Sequence, residues 1–291
     1  MKKILVSVIC GMTLMFAGCE SNTPEVSVIG VFSVSDSKQV TFSPGNLHYT
    51  QSTNTWSFAS AQWEMSGYDN LKGDDDSSNL MWMQMREGGA LADEIDLFCW
   101  SSDTTYFGVS TISDHNGYSG SFVDWGTNKI GNDAPNTWRT LTYDEWDYLI
   151  HKRPNASELI GVAQVNGING LIVLPDNFVR PSGVIFKSGF HRNFGVESFA
   201  AYKTYTAEKW SKLESAGAIF LPAAGNHFYD VYSFFRIISV LGGVNGLGCY
   251  WSATKIDSNE PGYFYLCAKS TIMHKRDSNH AISVRLVKDV K

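Results

Sequence analysis

The chain has 291 residues, of which 23 are Lys or Arg and 29 are Asp or Glu, so its formal net charge is −6. Charged residues make up only 18% and aromatic residues 13%, a composition that excludes a disordered chain and is typical of a globular protein. A net acidic chain without a basic cluster makes nucleic acid a poor partner, so we expect none.

The N-terminus carries the pattern of an export signal. Lys2 and Lys3 precede an apolar run from Ile4 to Phe16, which is long enough for a signal-peptide core but too short to span a bilayer. The following Ala17-Gly18-Cys19 resembles the lipobox cut by the lipoprotein signal peptidase, with Phe16 at the position where that motif usually has Leu.

The lipobox resemblance implies a lipid anchor rather than a membrane span. Residues 1–18 would be the cleaved signal, Cys19 would carry the diacylglyceryl group, and residues 19–27 would form a polar tether ahead of a single domain over residues 28–291. The alternative is a plain secretory signal in which Cys19 is incidental. We expect a cell-envelope protein, an outer-membrane lipoprotein facing the periplasm or the surface, with the membrane as its partner.

The first part of the mature chain predicts short strands and loops. Val28–Val34 and Gln39–Phe42 form a β-rich N-terminal extension, and further short strands are expected at Leu47–Tyr49 and Trp56–Phe58. The stretch from Ser101 to Asn136 is rich in Gly, Ser, Asn and aromatic residues, which predicts a long, loop-rich excursion.

Two helices follow. Thr142 and Glu145 form a T-x-x-E capping box, which predicts that a helix begins at Thr142, and Pro154 ends the run. The second helix is predicted over Ala207–Ala216, with Gly217 just past its end.

The remaining elements read as strands. Asn166-Gly167 predicts a tight hairpin within the strand material of Val162–Leu174. Near the C-terminus, alternating patterns predict strands at Cys249–Thr254, Gly262–Ala268 and Ile282–Val287.

Cysteine is too sparse for a disulfide framework. Cys10 and Cys19 belong to the export signal and its cleavage site, and the remaining Cys99, Cys249 and Cys267 cannot all pair. An oxidising envelope would allow a Cys249–Cys267 bridge. We favour the interpretation that these cysteines are small, buried apolar residues.

Five short blocks follow one another in order along the chain. They are Trp138–Leu141 with Glu145-Trp146, Leu174–Asn177, Leu221–Gly225, Gly248–Ser252 and Ser283–Val287. In this order they resemble lipoproteins of gut Bacteroidetes with a Fibrobacter-succinogenes-type major paralogous domain, which are similar to the sulfatase-modifying factor branch of the C-type lectin-like fold. The resemblance implies an α+β domain of short antiparallel strands with two flanking helices and long loops.

This family includes enzymes and non-enzymes, so the fold alone does not settle activity. Formylglycine-generating enzymes of the superfamily have two closely spaced late cysteines, whereas Cys249 and Cys267 are eighteen residues apart. Sugar-binding C-type lectins hold calcium with Glu-Pro-Asn and Trp-Asn-Asp triplets, and the nearest match is Glu260-Pro261-Gly262. Neither activity is therefore expected.

Hydrolytic signatures are also weak. Gly117–Gly120 is one residue short of G-x-S-x-G, and Ser35–Lys38 matches S-x-x-K only in a turn context. The carboxylates at Asp93–Asp96 or Asp144-Glu145 could in principle hydrolyse a glycosidic bond, although Glu145 has a capping role. We expect no enzyme and keep a divergent sulfatase-modifying enzyme or a glycan hydrolase as the alternative.

No metal or cofactor is expected. Asp74-Asp75-Asp76 with Ser77 and Asn79 offers the hard oxygen ligands that calcium prefers, but the run lacks EF-hand spacing and reads as a solvated acidic loop. Calcium at this loop is the alternative. The seven His residues have no transition-metal spacing.

The segment from Lys255 to His280 is the predicted ligand-contact surface, because it mixes aromatic rings with varied hydrogen-bonding groups. It looks like the variable ligand face of retroelement-diversified lectin-fold proteins; an ordinary exposed hairpin is the alternative. We expect a binding or adhesion module for a glycan or a surface protein, or alternatively a structural envelope component. The predicted contact residues are Tyr263, Tyr265, His274, Arg276, Asp277, Asn279 and His280.

Overall fold

The computed structural model describes residues 28–65, 84–85, 94–102, 120–190, 203–232, 236–257, 260–276, 278 and 280–291. The predicted signal, the tether with Cys19 and the acidic loop at Asp74–Asp76 lie outside these residues. The described part is a mixed α+β protein, mostly strands in several small antiparallel sheets with few short helices. No helix within it is long and apolar enough to cross a bilayer.

The helices of the described part are α1 (Tyr143–Asp147), α2 (Ala156–Leu159) and α3 (Ala207–Ser215). The strands, numbered along the chain, are β1 (Phe32–Ser33), β2 (Gln39–Phe42), β3 (Leu47–Thr50), β4 (Thr55–Phe58), β5 (Gln84–Met85), β6 (Glu94–Ile95), β7 (Leu97–Phe98), β8 (Arg139–Thr140), β9 (Ile160–Val165), β10 (Ile168–Val173), β11 (Thr204–Tyr205), β12 (Ile219–Pro222), β13 (Asn226–Tyr232), β14 (Arg236–Gly242), β15 (Leu247–Lys255), β16 (Pro261–Cys267), β17 (Thr271–Lys275), β18 (Ile282–Ser283) and β19 (Leu286–Asp289).

These strands form five small sheets. Their orders are β1-β2-β19-β8, β11-β9-β10-β12, β13-β14-β5, β17-β16-β15-β18-β7 and β4-β3-β6. Neighbouring strands are antiparallel except for the parallel pairs β11–β9 and β15–β18. The two ends of the domain share a sheet, because β2 pairs with β19 and sets Phe42 opposite Val287. The predicted N-terminal strand β2 is therefore hydrogen-bonded to the last strand of the chain.

The first predicted helix begins as expected. Thr142 Oγ1 accepts a hydrogen bond from the Glu145 amide, and the Glu145 carboxylate accepts one from the Thr142 amide, which confirms the capping box. Trp146 is fully buried on the inner side of α1. The helix is shorter than the predicted run, because the chain continues as one π-helical turn over Tyr148–Lys152 before Pro154.

The second helix and the tight hairpin are confirmed closely. Helix α3 is capped by Thr206, whose hydroxyl accepts from the Lys209 amide, and Gly217 follows its end with a positive φ of 88°. At the β9–β10 turn, Asn166 and Gly167 have φ values of 48° and 84°. Positive φ at both central residues is the requirement of the type I′ turn that Asn-Gly favours.

Two regions depart from the predicted elements. The predicted strand Ile282–Val287 is split into β18 and β19, which belong to different sheets. Between them lie Val284 and Arg285, and both side chains are fully buried. The β13–β14 hairpin, which pairs Asn226–Tyr232 with Arg236–Gly242, has no counterpart among the predicted strands.

The five-stranded sheet is covered on both faces along its central strands. On one face, Tyr250 and Phe264 join a core in which Trp146 stacks on Phe264 at a centroid distance of 5.1 Å. On the other face, Trp251 and Tyr263 join a second core. Successive side chains of a strand point to opposite faces, so a strand buried on both sides has an almost continuous apolar sequence.

A buried guanidinium connects distant parts of the chain. Arg285 Nη2 donates to Gln62 Oε1 at 2.7 Å, and the Phe220 amide donates to the same oxygen at 2.8 Å. The Gln62 amide in turn donates to Glu214 Oε1 at 2.7 Å. Burial lowers the pKa of Arg285 to about 10, so the group is still charged at neutral pH.

The Leu174–Asn177 block holds the N-terminal strand. Asp176 Oδ2 accepts a hydrogen bond from the Ser33 amide at 2.6 Å, and its Oδ1 accepts one from the buried Arg153 Nη1 at 2.9 Å. Asn177 Oδ1 accepts from the Val31 amide at 3.2 Å. One carboxylate therefore bonds to both a buried cation and the backbone of β1.

We predict that Glu145→Gln destabilises the protein at neutral pH but not in acid. Burial alone would raise the pKa of Glu145, but hydrogen bonds from Arg139, the Thr142 amide and Lys38 outweigh it and hold the pKa below its ordinary value of 4.5. A lowered pKa contributes stability above pH 4.5 that is lost as the pH falls through the folded-state value. We expect a loss of roughly 1–3 kcal/mol at pH 7 in urea unfolding.

The matched control is Asp144→Asn, which removes an exposed first-turn carboxylate from the same helix. It should change the free energy of unfolding by less than about 0.5 kcal/mol. A destabilisation by Glu145→Gln that persists unchanged well below pH 4 would contradict the ion-pair interpretation.

Candidate functional site

The predicted contact segment folds into the two outer strands of the five-stranded sheet. The register of β16 and β17 sets Tyr263 opposite His274 and Tyr265 opposite Ile272. Directly opposed residues lie on the same face, so these four side chains share the face that leads inward to the second core. Since β17 is the outermost strand of the sheet, this face extends to the sheet edge.

Tyr263 does not belong to the surface, contrary to the sequence-based prediction. Its side chain is only 3% exposed. The ring packs against Trp251 at a centroid distance of 6.2 Å and against His274 at 5.6 Å, and the Arg276 guanidinium covers it at 5.2 Å. Tyr263 therefore belongs to the core, and its ring packs under the Arg276 guanidinium.

Three side chains remain accessible on this face. Tyr265 is half-buried, Ile272 is 47% exposed and His274 is exposed. His274 Nδ1 lies 2.9 Å from the Lys275 amide nitrogen and 2.8 Å from the Lys275 carbonyl oxygen, so the backbone of the next residue holds the ring. The face thus combines a phenol, an aliphatic side chain and an imidazole ring.

Arg276 lies at the end of the same face. Its backbone amide donates to the Pro261 carbonyl at 3.1 Å, which continues the ladder one residue past β17. The side chain is half-buried, and its Nη1 is buried without an acceptor among the described residues. An unpaired buried donor costs about 1–3 kcal/mol, and the hydrogen bonds of the described residues do not offset that cost for Nη1.

The other predicted contact residues are only partly placed. Asp277 and Asn279 lie outside the described residues, and His280 is half-buried. Ser278 is buried, and its carbonyl accepts a hydrogen bond from the Trp100 amide at 3.1 Å. The structure therefore brings Tyr265, His274 and Arg276 together.

Lys255 begins the predicted contact segment but is not among the predicted contact residues. Its Nζ lies 5.9 Å from the centroid of the Trp100 ring. The contact depends on a residue far away in the sequence, so no local pattern indicated it. The neighbouring Lys275 is different, because its ammonium pairs with Asp257 and with Glu260, the latter at 2.6 Å.

Two of the groups near Arg276, the Cys249 thiol and the Tyr263 phenol, are uncharged at neutral pH. Burial raises the pKa of the Cys249 thiol to about 12, even though Arg276 acts in the opposite direction. Burial likewise raises the pKa of Tyr263 and of Tyr265. None of these neighbours carries a negative charge at neutral pH that could balance the guanidinium.

The cysteines form no bridge in the described structure. Cys99, Cys249 and Cys267 are free thiols, and both Cys99 and Cys249 are buried. In the β15–β16 ladder, Cys249 lies opposite Tyr265 and Cys267 lies opposite Leu247. The Cys249–Cys267 bridge that the sequence left open is therefore not formed, and Cys249 is a core residue as we favoured.

The carboxylates considered for catalysis have other partners. Glu94 pairs with His48 Nδ1 at 3.0 Å, Asp96 is buried, and Asp93 lies outside the described residues. Glu145 is engaged by the capping box and by Arg139. Within the described ranges, no group of three or more His, Cys, Asp or Glu side chains is arranged to hold a metal ion.

A separate hydrogen-bonded chain joins the π-helical turn to β17. Asp147 Oδ1 lies 2.8 Å from His151 Nδ1, and His151 Nε2 lies 3.1 Å from Thr271 Oγ1. The order carboxylate, imidazole, hydroxyl is that of an activated nucleophile. Asp147 also pairs with Lys152 at 2.6 Å, and Thr271 is held in the β16–β17 ladder.

We predict that iodoacetamide modifies Cys267 in the native protein and leaves Cys249 unmodified until unfolding. The thiolate is the reactive form, and burial both shields Cys249 and raises its pKa to about 12. Cys249 should react more slowly than Cys267 by a factor on the order of 100 or greater, as measured by peptide mapping of a time course. Recovery of the two cysteines as one reductant-sensitive peptide pair would contradict the free-thiol assignment.

Comparisons with known proteins identified no relative of the chain. No protein-family model matches the chain, and no match was found among the curated proteins or the solved structures.

Proposed function

We propose that the chain is a lipid-anchored envelope protein that binds a glycan on the face of β16 and β17 that carries Tyr265, Ile272 and His274. The observation that carries the proposal is the grouping of Tyr265, Ile272 and His274 beside an Arg276 side chain that lacks an acceptor among the described residues. Aromatic and aliphatic side chains stack against the apolar faces of sugar rings, while ring N–H and guanidinium donors bind hydroxyl oxygens.

Anchoring and fold class belong to the same proposal. Lipidation at Cys19 rests on the lipobox resemblance, and mass spectrometry of the mature N-terminal peptide tests it. The C-type lectin-like assignment rests on the ordered blocks, and the observed small antiparallel sheets with few short helices agree with its coarser features. An outer-membrane location and membership of the Bacteroidetes lipoproteins follow from the same two resemblances.

We predict that Ile272→Ser and His274→Ala each weaken binding to a glycan selected on an array by about tenfold, equivalent to about 1.4 kcal/mol. Both substitutions change accessible side chains on an edge strand, so the fold should survive them. Ile185→Ser is the matched control, since Ile185 is 65% exposed on a loop beside Tyr205. The measurements are affinity by calorimetry and the thermal midpoint of each variant.

The proposal would be contradicted if the protein bound no glycan on the array but formed a stable complex with another envelope protein. That result would favour a protein-binding or structural role. A loss of affinity in Ile185→Ser equal to that in Ile272→Ser would also contradict it, because the effect would then not belong to this face.

A second candidate function, hydrolysis, is favoured by one specific observation, the Asp147–His151–Thr271 chain. There the hydroxyl would be the nucleophile and the imidazole the base. Binding is the better-supported function, because Thr271 carries a β-branched secondary alcohol within a strand ladder and Asp147 is shared with Lys152.

We predict that the protein returns bound glycan unchanged and does not hydrolyse 4-nitrophenyl acetate above the level of a Thr271→Val variant. Valine keeps the shape of threonine and removes the hydroxyl, so the comparison isolates the nucleophile. Reducing-end assays and absorbance measure the two reactions. Turnover that disappears in both Thr271→Val and His151→Ala would replace the binding function with the hydrolytic one.

A further inference from the structure

Two cations lie over aromatic rings at one end of the five-stranded sheet. The Lys255 ammonium is 5.9 Å from the Trp100 centroid, and the Arg276 guanidinium is 5.2 Å from the Tyr263 centroid. Both rings belong to the same core cluster. A cation over an aromatic face is held in place without being neutralised, because the ring offers only its quadrupole.

The strand register makes these two cations neighbours. Lys255 on β15 is paired with Pro261 on β16, and the Pro261 carbonyl accepts the hydrogen bond of the Arg276 amide. The two residues therefore flank one position of β16, the strand that lies between β15 and β17. With strands about 4.8 Å apart, their backbones are roughly 10 Å apart. The Trp100 amide bond to the Ser278 carbonyl closes the same end of the sheet.

This pair differs from other ring-bound cations of the described structure. Arg153 lies over Phe32 but pairs with Asp176 at 2.9 Å. Lys288 lies over Trp138 but pairs with Asp133 at 3.5 Å.

By contrast, neither Lys255 nor Arg276 has a carboxylate partner among the described residues, although the chain as a whole has a formal net charge of −6. Among the described residues, Lys203 over Tyr205 likewise has no carboxylate partner. Within the described ranges, two cations thus stand without a carboxylate partner at one end of the candidate face, while the nearby Asp257 and Glu260 are engaged by Lys275.

We infer that Lys255 and Arg276 form a subsite for the anionic group of a glycan, either the carboxylate of a uronic acid or a sulfate ester. The inference rests on the proposed function, with the sugar ring lying against Tyr265, Ile272 and His274. A guanidinium offers a planar fork of donors that matches carboxylate and sulfate oxygens. The ammonium adds a second point charge from the neighbouring strand.

The net acidic charge sharpens this specificity. A protein with net charge −6 repels polyanions over most of its surface, so binding of an acidic glycan requires a local positive site. Affinity should also fall with added salt, because each cation releases a counterion from the polymer.

The test uses two matched polymer pairs, polygalacturonate with its methyl ester and dextran sulfate with dextran. We expect the anionic member of at least one pair to bind ten times more tightly or better than its neutral partner, with an affinity that falls between 50 and 300 mM salt (roughly 14 and 6 Å Debye lengths). The pair that discriminates identifies the anion as carboxylate or sulfate.

The variants are Arg276→Met and Lys255→Met, which keep apolar contact with the rings and remove the charge. Each should reduce the preference for the anionic polymer at least fivefold, and Arg276→Lys should restore part of it. Lys288→Met is the matched control, because Lys288 also lies over an indole but has Asp133 as its partner. Thermal unfolding of each variant separates loss of binding from loss of fold.

Equal affinity for the charged and neutral members of both pairs would overturn the anionic subsite and leave glycan binding standing. Anion preference that survives in both methionine variants would overturn the assignment to these residues. An empty glycan array would overturn the proposed function as well. Stronger binding to phosphatidylglycerol vesicles than to either polyanion, lost in the same variants, would replace the glycan with a lipid surface.

Discussion

The fold depends on a positive charge that is completely removed from water. Placing the Arg285 guanidinium in the core costs several kcal/mol unless nearby polar groups compensate. The Gln62 side chain bridges the two ions: its Oε1 accepts hydrogen bonds from Arg285 and from the Phe220 amide, and its Nε2 donates one to the Glu214 carboxylate. The end of α3, strand β12 and the C-terminal segment must all be in place before the guanidinium is stabilised, so this polar chain favours one arrangement of the surrounding elements.

The contrast between three arginines clarifies the candidate site. Arg285 and Arg153 are fully buried; Arg285 donates to Gln62 at 2.7 Å, Arg153 donates to Asp176 and to the Leu174 carbonyl at 2.9 Å each, and the Nε of both has no acceptor among the described residues. Arg276 is half-buried and has only a ring beneath it within the described structure. The guanidinium groups of the first two are bound to polar groups of the fold, whereas that of Arg276 packs on the Tyr263 ring.

Local chemistry determined which elements could be predicted. The Thr142–Glu145 capping box and the Asn166-Gly167 turn each depend on a few adjacent residues, and both were found where the sequence placed them. The faces of β16 could not be predicted in the same way. Tyr263 and Tyr265 read alike in sequence, but the strand is buried on both sides, so only the register and the neighbouring Arg276 decide that one is covered and the other half-exposed. The position of Lys255 over Trp100 could not be predicted either, because the two residues lie far apart in the sequence.

The attachment of the first strand has a mechanical consequence. Hydrogen bonds from Asp176 and Asn177 grip the backbone at Val31 and Ser33, and the Val28 amide donates to the carbonyl of Ser215. A pull on the N-terminus would load these bonds together with the β1–β2 ladder, and Asp176 would pass part of the load to the buried Arg153. The first strand is therefore held by two independent attachments, a sheet and the Leu174–Asn177 block, and both would have to break before β1 could peel away from the fold.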